Sequence, residues 1–292
     1  GDLAEMVRSK RKHQGSLDFD LDEAVIEVDE YENPIRIEVE ERRTANRLIE
    51  EFMLIANETV AEHFFWMEIP FVYRIHEKPD VEKMTELRNY LANFNIAFRG
   101  NPDNVHPKML STIIDNLAGE PYEASVNRVI LRTMKKAYYG TSCDGHFGLA
   151  FKYYCHFTSP IRRYPDLIIH RMIKAVIEGE MTDSKIAKYR VDTEVAADQS
   201  SITERQAQEL EREVEKLKKC QYMKQHIGEE FEGIVSGVTD FGVYVELPNT
   251  IEGMAFARDL DRPYQLGQKV RIKVLDARPE DRQLDFRILK ES

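Results

Sequence analysis

His156-Phe157-Thr158-Ser159-Pro160-Ile161-Arg162-Arg163-Tyr164-Pro165-Asp166-Leu167 is the most informative stretch of the chain. It reads as a tight turn driven into the start of a helix. Thr158 or Ser159 can cap backbone N–H groups, and a proline suits a first helical turn. Beyond Pro165 the apolar residues Leu167, Ile168, Ile169, Met172, Ile173, Val176 and Ile177 keep helical spacing, and Gly179 ends the run. Arg162 and Arg163 thus stand at the positive end of a helix beside two hydroxyls. Free backbone donors, a favourable dipole and a guanidinium fork suit a phosphate. A salt-bridged surface turn is the alternative for such an arginine pair.

Working outward, residues 1–16 begin as a helix and end in a basic run. Leu17-Asp18-Phe19-Asp20-Leu21-Asp22 alternates, which predicts a strand with its aspartates on one face and Phe19 on the other. The sixth place of a calcium loop there holds Glu23 rather than glycine, which argues against metal and for a solvated face. Residues 24–39 predict a hairpin turning at Asn33-Pro34. A helix follows over 44–63, with Leu48, Phe52, Ile55, Ala56 and Val60 on one apolar stripe. Residues 70–76 predict a short strand, and helices follow at 80–93, 107–118 and 122–138. His76 and His106 read as structural. The aromatic segment 153–157 fits either base stacking or a strand packed in the core. Residues 183–225 predict two helices, the second opening near Ser200 with Ser201 and Glu204 in capping-box spacing. Ala207, Leu210, Val214 and Leu217 then form a short seam expected to pack on the rest of its own domain.

The composition changes near His226. Residues 228–235, 240–247, 253–256, 269–274 and 284–286 predict five short strands, which suits an OB-type barrel. The division expected is therefore residues 1–225 and 226–292.

The chain has 292 residues, 42% hydrophobic and 32% charged, enough for a substantial core. Its formal net charge of −11 excludes simple coating of nucleic acid, so any such ligand needs a local basic groove. Three cysteines at 143, 155 and 220 have no C-x-x-C spacing, which fits a reducing cytoplasm better than a disulfide framework or a zinc site. No apolar run reaches membrane-spanning length.

The string from His156 to Leu167, continued by Ile168-Ile169-His170-Arg171 and preceded by Gly145-His146-Phe147-Gly148-Leu149-Ala150, resembles the signature of the ribonuclease II/ribonuclease R (RNB) family of exoribonucleases, and within it the bacterial ribonuclease R branch. The resemblance runs over nearly the whole chain. It implies an α+β fold: the C-terminal half of an RNB catalytic domain, with helices on a mostly antiparallel sheet, followed by an S1-type OB barrel. It implies processive hydrolysis of single-stranded RNA from the 3′ end to nucleoside monophosphates. Arg162 matches the arginine that neutralises transition-state charge, Glu50 a glutamate that hydrogen-bonds the sugar near the cut, and Glu211 a glutamate near the catalytic centre. Phe19 lies near an aromatic that clamps bases, and Arg163 is the accompanying RNA contact. In the barrel, Phe241 and Tyr244 match the stacking pattern of S1 domains, and Phe256 stands where histidine is common. Arg282 and Lys273 are the phosphate partners expected there. Segment 259–266 is shorter than the branch pattern.

The family's D-x-x-x-x-x-D-x-D-D set, which holds Mg²⁺, is not found in these residues. The chain is therefore expected to be a fragment of an Mg²⁺-dependent enzyme that holds no metal and has no activity by itself. The partner expected is single-stranded RNA, with no membrane and no obligate protein partner. A non-catalytic RNA-binding protein on the same scaffold is the alternative.

Overall fold

The computed structural model describes residues 1–19, 23–41, 43–120 and 122–290. In chain order its elements are α1 (Asp2–Gln14), β1 (Ala24–Val28), β2 (Pro34–Val39), α2 (Thr44–Trp66), β3 (Tyr73–Ile75), α3 (Val81–Ala92), α4 (Pro107–Asn116), α5 (Glu123–Thr133) and β4 (Tyr138–Gly140). There follow α6 (Tyr164–Ile177), α7 (Asp183–Met223), β5 (Glu230–Thr239), β6 (Gly242–Glu246), β7 (Glu252–Phe256), β8 (Lys269–Arg278) and β9 (Gln283–Ile288). They form two compact units: residues 1–18, 42–116 and 129–206, and residues 19–41, 117–128 and 207–292.

The first unit is mainly helical. Its core gathers Ala61 and Phe64 of α2, Ile75 of β3, Tyr139 of β4, Ile168, Ile169 and Met172 of α6, and Ala196 and Ala197 of α7. β3 and β4 pair antiparallel, with Tyr73 opposite Gly140 and Ile75 opposite Tyr138. Arg74 lies 4.6 Å over the Tyr139 ring and donates to Glu204 at 2.6 Å, which ties α7 to this pair. An exposed Arg–Glu contact contributes little, but the Arg74 side chain is only 10% exposed, so stacking and pairing act together.

The second unit is built on a closed barrel of strand order β5-β6-β7-β9-β8, with β8 returning to β5. Alternation sets its faces: Val270, Ile272 and Val274 of β8 point inward with Val243 and Val245 of β6, while Arg271 and Tyr244 face out. The β1–β2 hairpin pairs Ala24 with Val39 and Ile26 with Ile37, and Ile37 packs with Cys220, Met223 and the barrel core. An α+β fold ending in an OB-like barrel is what the sequence predicts.

Several local expectations change. Residues 183–223 form one helix, not two. Ser201 lies in its interior and donates to Ala197 O at 2.8 Å while accepting from Tyr139 N at 2.9 Å, so no cap forms there. The seam on that helix does not pack as expected, since Leu210 and Val214 are exposed. α5 ends at Thr133, because residues 138–140 are needed as the partner of β3. Residues 154–157 are not a strand; they are held by side chains of α2 and α6. Leu17–Phe19 form no regular strand either, and Asp20, Leu21 and Asp22 lie outside the described residues. The apolar stripe of α2 is displaced: Glu51, Asn57, Ala61 and Phe64 are buried, whereas Phe52 and Ile55 are exposed.

Candidate functional site

The signature turn closes on Ser159, whose carbonyl accepts from Arg162 N at 3.3 Å and Arg163 N at 3.1 Å. Neither Thr158 nor Ser159 caps α6 with its hydroxyl; the N-cap is Arg163 in extended conformation. Asp166, with no exposed surface, ties the turn instead. Its Oδ1 accepts from Ser159 N at 2.7 Å and from Arg163 Nε and Nη2 at 3.1 and 2.7 Å. An aspartate in a first turn also suits the helix dipole. The two arginines are thus divided. Arg163 is folded back onto Asp166, and Arg162 is exposed. Phe157 is locked behind them: His170 stacks on its ring at 4.4 Å and contacts its carbonyl through Nε2 at 3.0 Å.

Beside this turn lies a groove of about 530 Å³. Ile49, Glu50, Met53 and Asn57 of α2 form one wall, and Tyr154 and Arg163 line it as well. The structure thus brings Glu50 and Arg163 to one groove; Arg162 is not among its lining residues. The neighbouring glutamates of α2 part company. Glu51 is 3% exposed and accepts from Arg11 Nη2 at 2.5 Å and Nε at 3.2 Å, while Arg11 Nη1 donates to Ser16. Such a fork-to-fork pair is strong and directional, and it pins α1 to α2. Asn57 reaches across: its Oδ1 accepts from Phe157 N at 2.9 Å and its Nδ2 donates to Tyr154 Oη at 3.3 Å. Sequence reasoning missed Asn57 and Arg11, whose partners lie 40 to 100 residues away, and it singled out Tyr154 only as one of several aromatics. Asp166 could have been found, as the acidic residue of the first turn.

Next to Tyr154 three half-buried histidines lie among aromatics. His76 and His146 lie 4.9 Å apart, His146 and Tyr154 5.2 Å, and Tyr154 and His156 5.8 Å. Burial and the nearby Arg163 and Arg74 push the His156 pKa down to about 2, and burial lowers His146 far below its ordinary value. Both imidazoles are neutral at physiological pH. His156 Nδ1 lies 2.8 Å from Tyr139 Oη.

Among the described residues no group of three or more His, Cys, Asp or Glu side chains could hold a metal ion. Asp18 is committed elsewhere: burial opposes its charge, but Arg8 at 2.5 Å and Lys12 at 3.8 Å outweigh it and lower its pKa. The described residues therefore do not fit the Mg²⁺ that the family resemblance implies. No described helix is long and apolar enough to cross a membrane.

The second unit offers a different surface. Phe241 is 78% exposed and Tyr244 37% exposed. Phe256 stands opposite Gly242 in the β6–β7 ladder, and Ala257 N donates to Phe241 O at 2.9 Å, so Phe241 and Phe256 lie at one end of this strand pair with Tyr244 two residues further along β6. Arg258 lies 5.0 Å over the Phe256 ring, a cation beside the aromatics. The two phosphate partners expected from sequence are not on these strands. Lys273 sits on β8 between Glu230 and Arg287, and Arg282 at the β8–β9 turn pairs with Glu213 at 3.0 Å. Glu211 is exposed on α7 and Phe19 is half-buried, both in this second unit.

The RNB domain family matches residues 1–179 and the S1 RNA binding domain family matches residues 224–289. Ribonuclease R 1 of Lactococcus lactis is 39% identical over 307 residues, covering 99% of this chain and 38% of its own length. Ribonuclease R of Thermotoga maritima is 38% identical over 312 residues, covering 99% of this chain and 44% of its own. Among solved structures, Mycoplasma genitalium RNase R in complex with ribose methylated single-stranded RNA is similar at a TM-score of 0.91 and 26% identity, over 98% of this chain and 48% of that one. The chain spans less than half the length of each of these three proteins.

Proposed function

The chain belongs to the RNB family, and from that premise we propose that it is part of a hydrolytic exoribonuclease that shortens single-stranded RNA from its 3′ end. The observation that carries the proposal is the groove shared by α2 and the signature turn, where an acidic residue, Glu50, and a basic one, Arg163, line a channel next to the positive end of α6. The related Mycoplasma protein binds single-stranded RNA with this fold, which supports the same ligand here.

In this reading Arg162, exposed on the turn, contacts the scissile phosphate and strengthens that contact as negative charge builds. Glu50 accepts a hydrogen bond from the sugar beside the cut, and Arg163 helps hold the strand while Asp166 fixes its direction. Glu211 and Phe19, in the second unit, carry roles by family resemblance alone: a glutamate near the catalytic centre and an aromatic near the one that clamps bases. The S1 module, with its boundary at residue 226, recruits the strand through Phe241, Tyr244 and Phe256, with Arg282 a weaker phosphate contact because Glu213 already engages it. The family's Mg²⁺ would activate water, but the described residues supply no ligand set for it. The isolated 292-residue chain is accordingly expected to bind RNA without shortening it.

The test is Arg162→Ala in the full-length protein, under single-turnover conditions at saturating enzyme. Loss of one transition-state donor lowers turnover by roughly a hundredfold or more. Arg162→Lys recovers only part, because an ammonium lacks the planar fork. Cleavage near wild type in a protein with a lowered melting temperature would assign Arg162 to structure. RNA binding by the full-length protein without any cleavage would make it a non-catalytic RNA-binding protein on this scaffold.

A further inference from the structure

The segment that leads into the signature turn is gripped by side chains rather than by a strand partner. Phe157 N donates to Asn57 Oδ1 at 2.9 Å, and Phe157 O lies 3.0 Å from His170 Nε2. A carbonyl only accepts, so His170 Nε2 carries the proton. The His170 ring also stacks on the Phe157 ring, with centroids 4.4 Å apart and 11° between the planes. Asn57 holds two more residues of the segment. Its carbonyl accepts from Cys155 Sγ at 3.2 Å, and its Nδ2 donates to Tyr154 Oη at 3.3 Å. Asn57 is buried on α2 and His170 lies on α6, both in the first unit. The two residues form a clamp that closes on Phe157 from opposite helices.

What the clamp controls lies just beyond it. Two residues after Phe157, the Ser159 carbonyl closes the turn on Arg162 N and Arg163 N. Thr158, between them, adds no anchor through its side chain, since its buried hydroxyl has no partner. Asp166 ties Ser159 N to Arg163, but it stands on the helix that the turn itself runs into. It therefore fixes the shape of the turn, whereas Asn57 ties the leading segment to α2. Among the described residues no hydrogen bond or ion pair holds the Arg162 guanidinium, so the backbone of the turn sets where that group starts from. Placement matters, because an error of about 1 Å at a reacting group costs on the order of a hundredfold in rate. Resting on the reading of Arg162 given above, we infer that Asn57 and His170 are positioning residues: by holding the N–H and the C=O of Phe157 they fix the turn from which Arg162 reaches the scissile phosphate.

The experiment is a double-mutant cycle on cleavage of labelled single-stranded RNA by the full-length protein, at saturating enzyme and below the melting temperature of every variant. Asn57→Ala removes the acceptor for Phe157 N and should slow cleavage about tenfold, with RNA affinity in chelator within about twofold of wild type. Asn57→Asp keeps an oxygen for Phe157 N and should recover most of the rate. His170→Phe keeps a stacked ring, loses the donor to Phe157 O and should slow cleavage by a similar factor. It carries the test by itself if the variants at buried Asn57 fold poorly. In an Arg162→Ala background neither Asn57→Ala nor His170→Phe should slow cleavage further, because residues that act through one another are not additive. A general brace would cost the same factor in both backgrounds, and that result overturns the inference. So does cleavage at the wild-type rate by folded His170→Phe and Asn57→Ala. Normal cleavage by Arg162→Ala alone overturns the reading of Arg162 and this inference with it, an outcome distinct from either of the others.

Discussion

Replacing Asp166 with alanine should unfold the signature turn at a definite energetic cost. The substitution removes the acceptor of three hydrogen bonds, from Ser159 N and from Arg163 Nε and Nη2, at a position without exposed surface. It also leaves a guanidinium facing a cavity. Removing one partner of a buried pair costs about 3–5 kcal/mol, because the other charge stays desolvated. The Arg163 side chain is 17% exposed and can recover some water, which places the expected loss near the lower end, about 3 kcal/mol. For a unit of this size that corresponds to a fall in melting temperature of roughly 6–12 °C. Asp166→Asn keeps an oxygen for Ser159 N but loses the charge, and should cost about 1.5–3 kcal/mol. The assay is urea unfolding followed by tryptophan fluorescence. The chain has a single tryptophan, Trp66, which lies at the end of α2 edge-on to Phe65 and 6.5 Å from Tyr153, within the same unit. A midpoint shift worth less than about 1 kcal/mol for Asp166→Ala would refute the reasoning, since no buried pair breaks so cheaply.

Three further outcomes are expected. His156 is neutral when folded, with its pKa near 2, whereas the unfolded chain takes up a proton near pH 6.5; stability is therefore highest above that value and falls by about 1.4 kcal/mol per pH unit below it, so the urea midpoint should drop between pH 7 and pH 5, and His156→Gln should flatten the slope. A Cβ on Gly253 would lie 2.6 Å from the fully buried Phe286 ring, so Gly253→Ala should destabilise the barrel by about 1–3 kcal/mol, read from its near-ultraviolet circular dichroism melt; an unchanged melt would show that the ring yields freely. Phe241→Ala with Tyr244→Ala should weaken single-stranded RNA binding by about 1–3 kcal/mol for each base that loses its ring, and unchanged anisotropy titrations with native circular dichroism would remove these residues from the interface.

Much of this fold was legible because its signals are local. The barrel strands alternate over four to six residues, the hairpin carries Asn33-Pro34 at its turn, and α6 keeps its apolar period to the left-handed Gly179. Ser201 and Glu204 misled for the same reason: a capping spacing is a local pattern, and only the Tyr139 backbone shows that the Ser201 hydroxyl is spoken for. Residues 183–223 contain no glycine or proline, a cue to one helix that the spacing outweighed. Glu50 and Glu51 could not be told apart from sequence, since the partner that buries Glu51 is Arg11, 40 residues earlier. Nor could Asn57, whose polar side chain on an apolar face looks like a defect until the segment at 154–157 is laid against it.

That same asparagine has a consequence for how the protein comes into being. Nearly a hundred residues must be synthesised after Asn57 before Tyr154 and Phe157 exist to meet it. A contact of such separation carries the full entropy of closing a long loop, and it forms late in folding. On the ribosome, α2 can emerge and coil while the opposite side of the groove is still uncoded peptide. The groove can close only once the segment through Arg163 has emerged, well after α2 itself.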